Sequence, residues 1–546
     1  MRSTNLVNDR LLGSGRVLAT AAALLVGIAG AAAPALAYET GDGLSLNDEG
    51  WTNLSPAPDT RFVFVSSSEG NDLSSGRSPA HAVKSLERAK ELMRNNSADW
   101  MMLRKGDVWN ESFGAWRISG RSADEPVVIA SYGEAGNRPI IRCKNMHGIV
   151  APYGDTVSHV AIVGLKFLAD RDPGSTHRGI RWQSVGEGLL VEDCHIEGFF
   201  TNITLEGVVE GLEDVRIRRN VIIDSWSTSG HAQGIFAKDV TGLLIEENII
   251  DRNGWRDDIQ DAGPSSFQQN VYLQVGVTEV EFLGNITSRA SASGIQMRSG
   301  GVAEDNLIYA NPMGIRFGYR TLDWPQEGAT GSIRRNVVLG GPLSYAPREM
   351  FAIWTERSRN LQVDNNVIAH ATPDTMPTGI SLGGGAENVW FRGNTVYDWT
   401  AGGVGHAIKF TVDTVGQEAG TVTVEHSRFY MPGSDRIINV RILGMIAFWS
   451  NHYIGLDRDA QAFKMDGSRG RLNEWVETPN VTRDEIDEPS FIDGGRDLGD
   501  YARQIGLTDE VSFLNAARQL SKDRWDDRLT GASASAWIRA GYELEP

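Results

Sequence analysis

The sequence predicts an all-β protein built as a right-handed parallel β-helix, in which short strands coil into a stacked solenoid. Three observations predict this fold. A strand pattern with alternating apolar and polar residues recurs in the middle of the chain, at Val271–Gln274, Ile295–Arg298 and Ile315–Gly318. An asparagine recurs at one turn position, in ten steps of about 29 residues between positions 165 and 451. The chain also holds 61 glycines, as expected of many tight turns.

The recurring turn position is predicted to be part of the scaffold and not of a site. Asparagine tolerates left-handed turn geometry, and its amide can hydrogen-bond to the equivalent residue of the next coil. Seven consecutive coils carry it. The full series is Leu165, Cys194, Asn220, Asn248, Asn285, Asn306, Asn336, Asn366, Asn394, Ser427 and Asn451.

The two ends of the chain depart from this repeat. Residues 1–37 have the pattern of a bacterial secretory signal, with early arginines, an apolar run and a small-residue cleavage pattern near Ala37, so a secreted or periplasmic protein is expected. A retained membrane anchor is the alternative. Residues 38–126 are interpreted as a loose leader and an N-terminal cap with a capping helix, and residues 127–484 as the β-helix. Residues 485–546 are interpreted as a C-terminal helical cap, with a separate functional domain as the alternative.

Charge and cysteine content restrict the classes of partner. The formal net charge is −18, which argues against nucleic acid as a partner, and an acidic polymer would need a local basic groove. A monomer is expected. Cys143 and Cys194 are the only cysteines, too few for a disulfide framework, and small buried residues are favoured over a pair.

Alignment of nine strands predicts two rows of side chains on one outer face, because alternate residues of a strand point to opposite sides. The first row is Arg181, Thr204, Phe236, Tyr272, Gln296, Arg316, Trp354, Ser381 and Lys409. The second row is Gln183, Glu206, Lys238, Gln274, Arg298, Gly318, Glu356, Gly383 and Thr411.

These rows suit a polysaccharide that carries carboxylates. Aromatic faces stack on sugar rings, and arginine binds a carboxylate with two parallel hydrogen bonds. Long loops at residues 251–269 and 319–331 flank the same strands, as is common around binding clefts. A solvated face with incidental charges is the alternative. The predicted substrate-binding residues are Phe236, Gln274, Gln296, Arg316, Arg320, Trp354 and Glu356.

Two segments resemble known families. The strand, helix, strand and Lys105–Trp109 sequence near the N-terminus resembles the cap of the pectate-lyase-like β-helix proteins. Residues 294–306, followed by residues 314–316, resemble the chondroitinase B and alginate lyase family. The resemblance implies a uronate-acting enzyme with Arg298 as a catalytic arginine. The family's catalytic lysine falls at Gln274, and Lys238 is the nearest basic residue on the same row.

The expected reaction is therefore removal of the C5 proton of a uronate, followed by β-elimination or epimerisation. Arg298 and Arg316 would neutralise the carboxylate, while Tyr272, Lys238 or His231 would accept the proton. The sequence requires no cofactor and leaves a Ca²⁺ site open. Glycoside hydrolysis is the second hypothesis, with Glu356 and loop acids as candidate carboxyls. A non-catalytic glycan-binding or adhesin solenoid is the third.

Overall fold

The computed structural model describes residues 44–134, 136–208, 211–319, 328–344, 349–372, 375–410, 421–434, 436–441, 446–457, 459–465, 467–487 and 491–543. The predicted signal segment, residues 1–37, lies outside the described residues, as do Arg320 and Thr411.

Three long sheets run side by side along the molecule, and each coil of the chain contributes one strand to each sheet. Sheet A carries the predicted rows. Its strands are Gly114–Ala115, Ile149–Ala151, Arg178–Trp182, Thr201–Glu206, Gln233–Lys238, Gln269–Leu273, Ser293–Met297, Met313–Gly318, Met350–Glu356, Pro377–Leu382, His406–Phe410, Ile438–Val440, Phe463–Met465 and Ser468–Gly470. Only the last pair of strands in the described part of sheet A is antiparallel.

Sheets B and C are parallel and complete each coil. Sheet B is Phe62–Val65, Trp100–Arg104, Val127–Tyr132, Val160–Val163, Gly186–Glu192, Leu212–Arg218, Val240–Glu246, Thr278–Leu283, Gly300–Glu304, Ala329–Arg334, Ser358–Asp364, Glu387–Arg392, Val422–Glu425, Ile446–Trp449 and Val481–Thr482. Sheet C is Val108–Trp109, Ile140–Cys143, Lys166–Ala169, His195–Glu197, Val221–Ile223, Ile249–Asp251, Ile286–Ser288, Leu307–Tyr309, Val337–Leu339, Val367–Ala369, Thr395–Tyr397, Arg428–Tyr430, His452–Ile454 and Glu485–Asp487. The predicted right-handed parallel β-helix is confirmed.

The core is a column of apolar side chains enclosed by the three sheets. One row of sheet A shows the principle: Ile180, Ile203, Ile235, Val271 and Ile295 are paired strand to strand, and each is fully buried. Burial of a side chain of this size contributes about 1.5–3 kcal/mol. Because alternate residues face outward, this column fixes which side chains reach the surface.

The turn asparagines form a continuous hydrogen-bonded ladder between sheets B and C. Asn306 is fully buried, and its amide nitrogen donates to Phe282 O and to Asn336 Oδ1, both at 2.8 Å. Its own Oδ1 accepts from the backbone N–H of Asn285 at 2.8 Å. The same arrangement begins at Cys194 and ends at Asp484. These residues are scaffold, as the sequence predicted.

A second, shorter asparagine ladder lies at the turn that leads into sheet A. The amide of Asn202 donates to Asn253 Oδ1 at 3.0 Å, and that of Asn253 donates to Asn270 Oδ1 at 3.1 Å. Asn270 continues to Thr287 Oγ1 at 2.9 Å. This ladder holds the start of the strand that carries Tyr272.

The N-terminal segment is more ordered than the sequence predicted. The prediction of a loose leader is wrong for residues 44–60, because this segment packs on sheet B. Trp51 is buried, and Thr52 donates its backbone N–H to Glu192 at 3.2 Å. The buried Glu192 also binds Arg218 at 2.7 Å. The capping helix is Leu86–Leu92, with Ser85 as its N-cap.

The C-terminal segment packs on the side of the solenoid and not on its end. Its α-helices are Leu498–Gln504, Glu510–Ala517 and Gly531–Gly541, and a short α-helix, Leu472–Val476, precedes them. Short 3₁₀ turns are Pro79–His81, Lys522–Arg524 and Asp527–Leu529. Phe513, Leu514 and Ile538 join Ile286 and Leu307 of sheet C in one buried cluster. These helices therefore cover sheet C and leave sheet A uncovered.

Cys143 and Cys194 are both buried and free. Burial raises the pKa of each thiol to about 12. Within the described residues, none of the helices is both long and apolar enough to cross a lipid bilayer.

Candidate functional site

The strand register of sheet A confirms the first predicted row. Arg181 pairs with Thr204, Thr204 with Phe236, and Phe236 with Tyr272. The row continues through Gln296, Arg316, Trp354, Ser381 and Lys409. Neighbouring strands are about 4.8 Å apart, so Tyr272 and Arg316 are separated by about 10 Å along this row.

Tyr272 and Arg298 are in contact. The guanidinium carbon of Arg298 lies 5.2 Å from the centre of the Tyr272 ring, within range of a cation–π interaction. The Tyr272 hydroxyl donates to Gln274 Oε1 at 2.9 Å. Phe236 packs edge-on against the same ring, with 5.7 Å between centroids. The phenol is therefore held in place from three sides.

The protonation state of Tyr272 follows from its surroundings. Partial burial raises the pKa of the phenol above its ordinary value, and the nearby Arg298 and Arg316 guanidinium groups only partly oppose this effect. At neutral pH Tyr272 is therefore a protonated hydrogen-bond donor. A role as proton acceptor would require the phenolate, which this environment disfavours.

Arg316 forms the other half of the patch. It donates to Glu356 Oε2 at 3.0 Å, and its guanidinium lies 4.5 Å from the Trp354 ring centre. Trp354 stacks on Phe351 at 4.8 Å. Glu356 is buried by this arrangement. Its carboxylate thus positions Arg316 and is not presented to a ligand as a free acid.

Gln296 lies between Tyr272 and Arg316 in the row and is only 2 % exposed. Within the described part of the chain its amide nitrogen has no hydrogen-bond partner. Buried polar groups are nearly always hydrogen-bonded, so this buried donor is an exception within the row.

The second row leaves space beside this patch. Gly318 pairs with Glu356, and a Cβ on Gly318 would lie 1.7 Å from the Glu356 carbonyl oxygen, so a side chain is excluded there. Arg298 and Glu356 therefore flank a gap. Lys238, on the strand before Gln274, is 48 % exposed and lies 3.7 Å from the carboxylate of Asp239.

Other candidate residues are not brought to the patch. His231 precedes the strand Gln233–Lys238 and packs on Phe267 at 5.5 Å, whereas Lys238 is the last residue of that strand, which is about 17 Å long at the rise of a β-strand. The loop at 251–269 neutralises its own charges, since Arg252 binds Asp257 and Arg256 binds Asp258, each at 2.5 Å. Arg320 lies outside the described residues.

The charge of sheet A differs from that of the whole protein. Its described strands carry seven lysines and arginines but two acidic residues, Glu206 and Glu356, and Arg298 follows directly after another strand. The strands of sheet B carry six basic and eleven acidic residues. The strands of sheet A therefore form a cationic face on an anionic protein.

The described residues contain no group of three or more histidine, cysteine or acidic side chains arranged to hold a metal ion.

Sequence reasoning missed three features of this face. It did not pair Arg316 with Glu356, because the two residues lie 40 positions apart on different rows. It did not include Phe351, which lies three residues before Trp354 in the same strand and stacks on its ring. It also stopped at Lys409, while the row continues to Asn439 and Lys464.

The three sheets define the class of this protein, a right-handed parallel β-helix. Its fold is similar to that of a rhamnogalacturonan lyase, with 14 % identity over 72 % of this chain and 87 % of that chain and a TM-score of 0.38. The structure of XylC in complex with xylose is also similar, with 9 % identity over 80 % of this chain and 88 % of that chain and a TM-score of 0.43. The A-module of the mannuronan C-5 epimerase AlgE6 from Azotobacter vinelandii is similar as well, with 14 % identity over 72 % of this chain and 91 % of that chain and a TM-score of 0.36.

With TM-scores below 0.5, these similarities carry no argument about the activity of this chain. No protein-family model matches the sequence, and no curated protein matches it.

Proposed function

We propose that this chain is an exported carbohydrate-active enzyme that binds an acidic, uronate-containing polysaccharide along sheet A and removes a C5 proton from it. The outcome is β-elimination or C5 epimerisation. The observation that carries the proposal is the contact of Tyr272 with Arg298, next to Arg316, on the cationic face of an acidic protein.

The two arginines would neutralise the uronate carboxylate. Arg298 and Arg316 lie on neighbouring coils, and the side chain of Gln296 is buried between Tyr272 and Arg316 with an unsatisfied amide donor. The C5 proton becomes acidic enough to remove only when charge that develops on the carboxylate is stabilised. Donors that are already fixed by Glu356 and Tyr272 supply this stabilisation without reorganising in the reaction.

Proton transfer is assigned to Lys238 and Tyr272. Lys238 is the proposed acceptor of the C5 proton, since His231 lies beyond the opposite end of the strand Gln233–Lys238. In elimination the C4–O bond breaks, a C4–C5 double bond forms, and the protonated Tyr272 donates to the leaving oxygen. In epimerisation the C4–O bond stays intact and a proton returns to C5 from the opposite face.

Hydrolysis is disfavoured by the positions of the carboxyls on this face. Glycosidases need two carboxyl groups about 5–9.5 Å apart. Among the described strands of sheet A, the acidic residues are Glu206 and Glu356, which lie five strands apart, or about 24 Å. Glu356 is also engaged by Arg316.

The test is incubation with a panel of pectate, alginate, hyaluronan and chondroitin in deuterated water. Absorbance of an unsaturated product identifies elimination, and deuterium at C5 without that absorbance identifies epimerisation. New reducing ends without either signal would refute C5 proton removal, and binding without any turnover would favour the non-catalytic solenoid. The Arg298→Gln variant should lose turnover, while Arg359→Gln on sheet B serves as the matched control.

A further inference from the structure

A second basic site lies on sheet A, towards the C-terminal end of the solenoid. A cavity of about 230 Å³ is lined by Met376, His406, Lys409, Arg436, Asn439, Lys464 and Arg469. Four of these residues are lysine or arginine, and none of the described lining residues is acidic. Lys409, Asn439 and Lys464 occupy consecutive positions of the same row that carries Tyr272 and Arg316.

The geometry of this cavity brings like charges together. Lys464 and Arg469 are directly opposite each other in the antiparallel pair of strands that ends sheet A. An anionic group in the cavity would lie beside both cations. Asn439 adds a neutral amide, whose nitrogen lies 3.2 Å from His406 Nε2.

The cavity is joined to the patch around Arg316 by a series of side-chain contacts. Arg316 lies over Trp354, Trp354 stacks on Phe351 at 4.8 Å, and Lys409 Nζ lies 5.9 Å from the Phe351 ring centre. Lys409 is also held by Glu349 at 3.0 Å. Three strand spacings separate Lys409 from Arg316, or about 14 Å. Two half-buried aromatic rings therefore bridge two cationic sites, as a surface for sugar rings between two carboxylates would require.

We infer that this cavity is a distal subsite that binds an acidic group of the same polysaccharide, several sugar residues away from the reacting uronate. The inference builds on the proposed function and adds a length requirement to it. A chain long enough to reach both sites gains the second set of ionic contacts, whereas a short oligomer occupies the patch around Arg316 alone. The protein thus selects long acidic chains.

The experiment compares the affinities of trimers and decamers of galacturonate and of mannuronate, measured by calorimetry on the full chain. For the decamer that the wild type binds, the double variant Lys464→Gln/Arg469→Gln should have a roughly tenfold lower affinity. Its affinity for the trimer should be unchanged. The control double variant Arg359→Gln/Arg392→Gln removes the same charge from sheet B. Arg469 is exposed and Lys464 lies at the surface, so the double variant is expected to fold.

The outcomes separate the two proposals. Equal decamer affinity in the two double variants would overturn the distal subsite while leaving the proposed function intact. Failure of the wild type to bind either decamer, together with no turnover of any polymer in the panel, would overturn both. Protection of Lys464 from acylation by the decamer, but not by the trimer, gives an independent measurement with the wild-type chain.

Discussion

Replacement of Tyr272 by phenylalanine separates a catalytic role of this residue from a structural one. The substitution removes the hydroxyl, which donates one hydrogen bond of 2.9 Å to Gln274. It keeps the ring, and with it the contact with Arg298 at 5.2 Å and with Phe236 at 5.7 Å. A half-buried hydrogen bond contributes about 1 kcal/mol, so the free energy of unfolding should fall by about that amount.

The expected loss of activity is much larger than this loss of stability. A positioned proton donor contributes about 10²- to 10⁴-fold to the rate, and a protein destabilised by about 1 kcal/mol remains folded. We therefore expect Tyr272→Phe to lower kcat by at least about a hundredfold on the polymer that the wild type converts, with binding changed only a few-fold. Since the pKa of Tyr272 is raised, the wild-type donor stays protonated through neutral pH and into the alkaline range.

The assay is steady-state formation of unsaturated product, or deuterium incorporation at C5, with chemical denaturation of the same samples as a stability check. Tyr153→Phe is the matched control, because Tyr153 is 71 % exposed at the N-terminal end of the solenoid. A Tyr272→Phe variant with kcat within about threefold of the wild type would refute the assignment of Tyr272 as proton donor.

Four further predictions follow from other parts of the structure. Lys238→Gln should abolish turnover and preserve binding in calorimetry; retained turnover would move the role of proton acceptor to another group. Asn306→Ala should lower the free energy of unfolding by about 4 kcal/mol, because four buried hydrogen bonds are lost, whereas the exposed Asn145→Ala should change it little in the same denaturation assay. Burial and the nearby Arg181 lower the pKa of His147 to about 4, so stability present at neutral pH should be lost as the pH falls from about 6.5 towards 4, and the unfolding midpoint of His147→Gln should fall less over that range. The thiols of Cys143 and Cys194 should react with a thiol reagent only after denaturant is added, and fast reaction of the folded protein would contradict their burial.

The fold could be predicted because its signals are local and repeated. The turn asparagine marks the same position in each coil, so the strands of successive coils can be aligned from the sequence. The alternation of inward and outward residues along each strand then identifies the outward ones. For this reason the predicted row through Tyr272 and Arg316 matches the strand register. The second asparagine ladder escaped notice because its members do not share one spacing: Asn253 and Asn270 are 17 residues apart, whereas Asn202 and Asn253 are 51 apart.

The site could be predicted less completely, because contacts between coils depend on side-chain direction as well as register. Alignment placed Glu356 in the outward row but could not show that it turns towards Arg316 on the preceding strand. It placed Tyr272 near Arg298 but could not give the degree of burial that decides the pKa of the phenol. The packing of Trp51 and Thr52 on sheet B depends on partners about 140 residues away, for which the local sequence carries no signal.

The unequal charge of the sheets limits how the molecule could hold a long polyanion. Under the proposed function, the excess of acidic residues on sheet B would repel such a chain, and the C-terminal helices would exclude it from sheet C. The polymer would then lie along sheet A, parallel to the long axis of the solenoid, and extend beyond the protein at both ends.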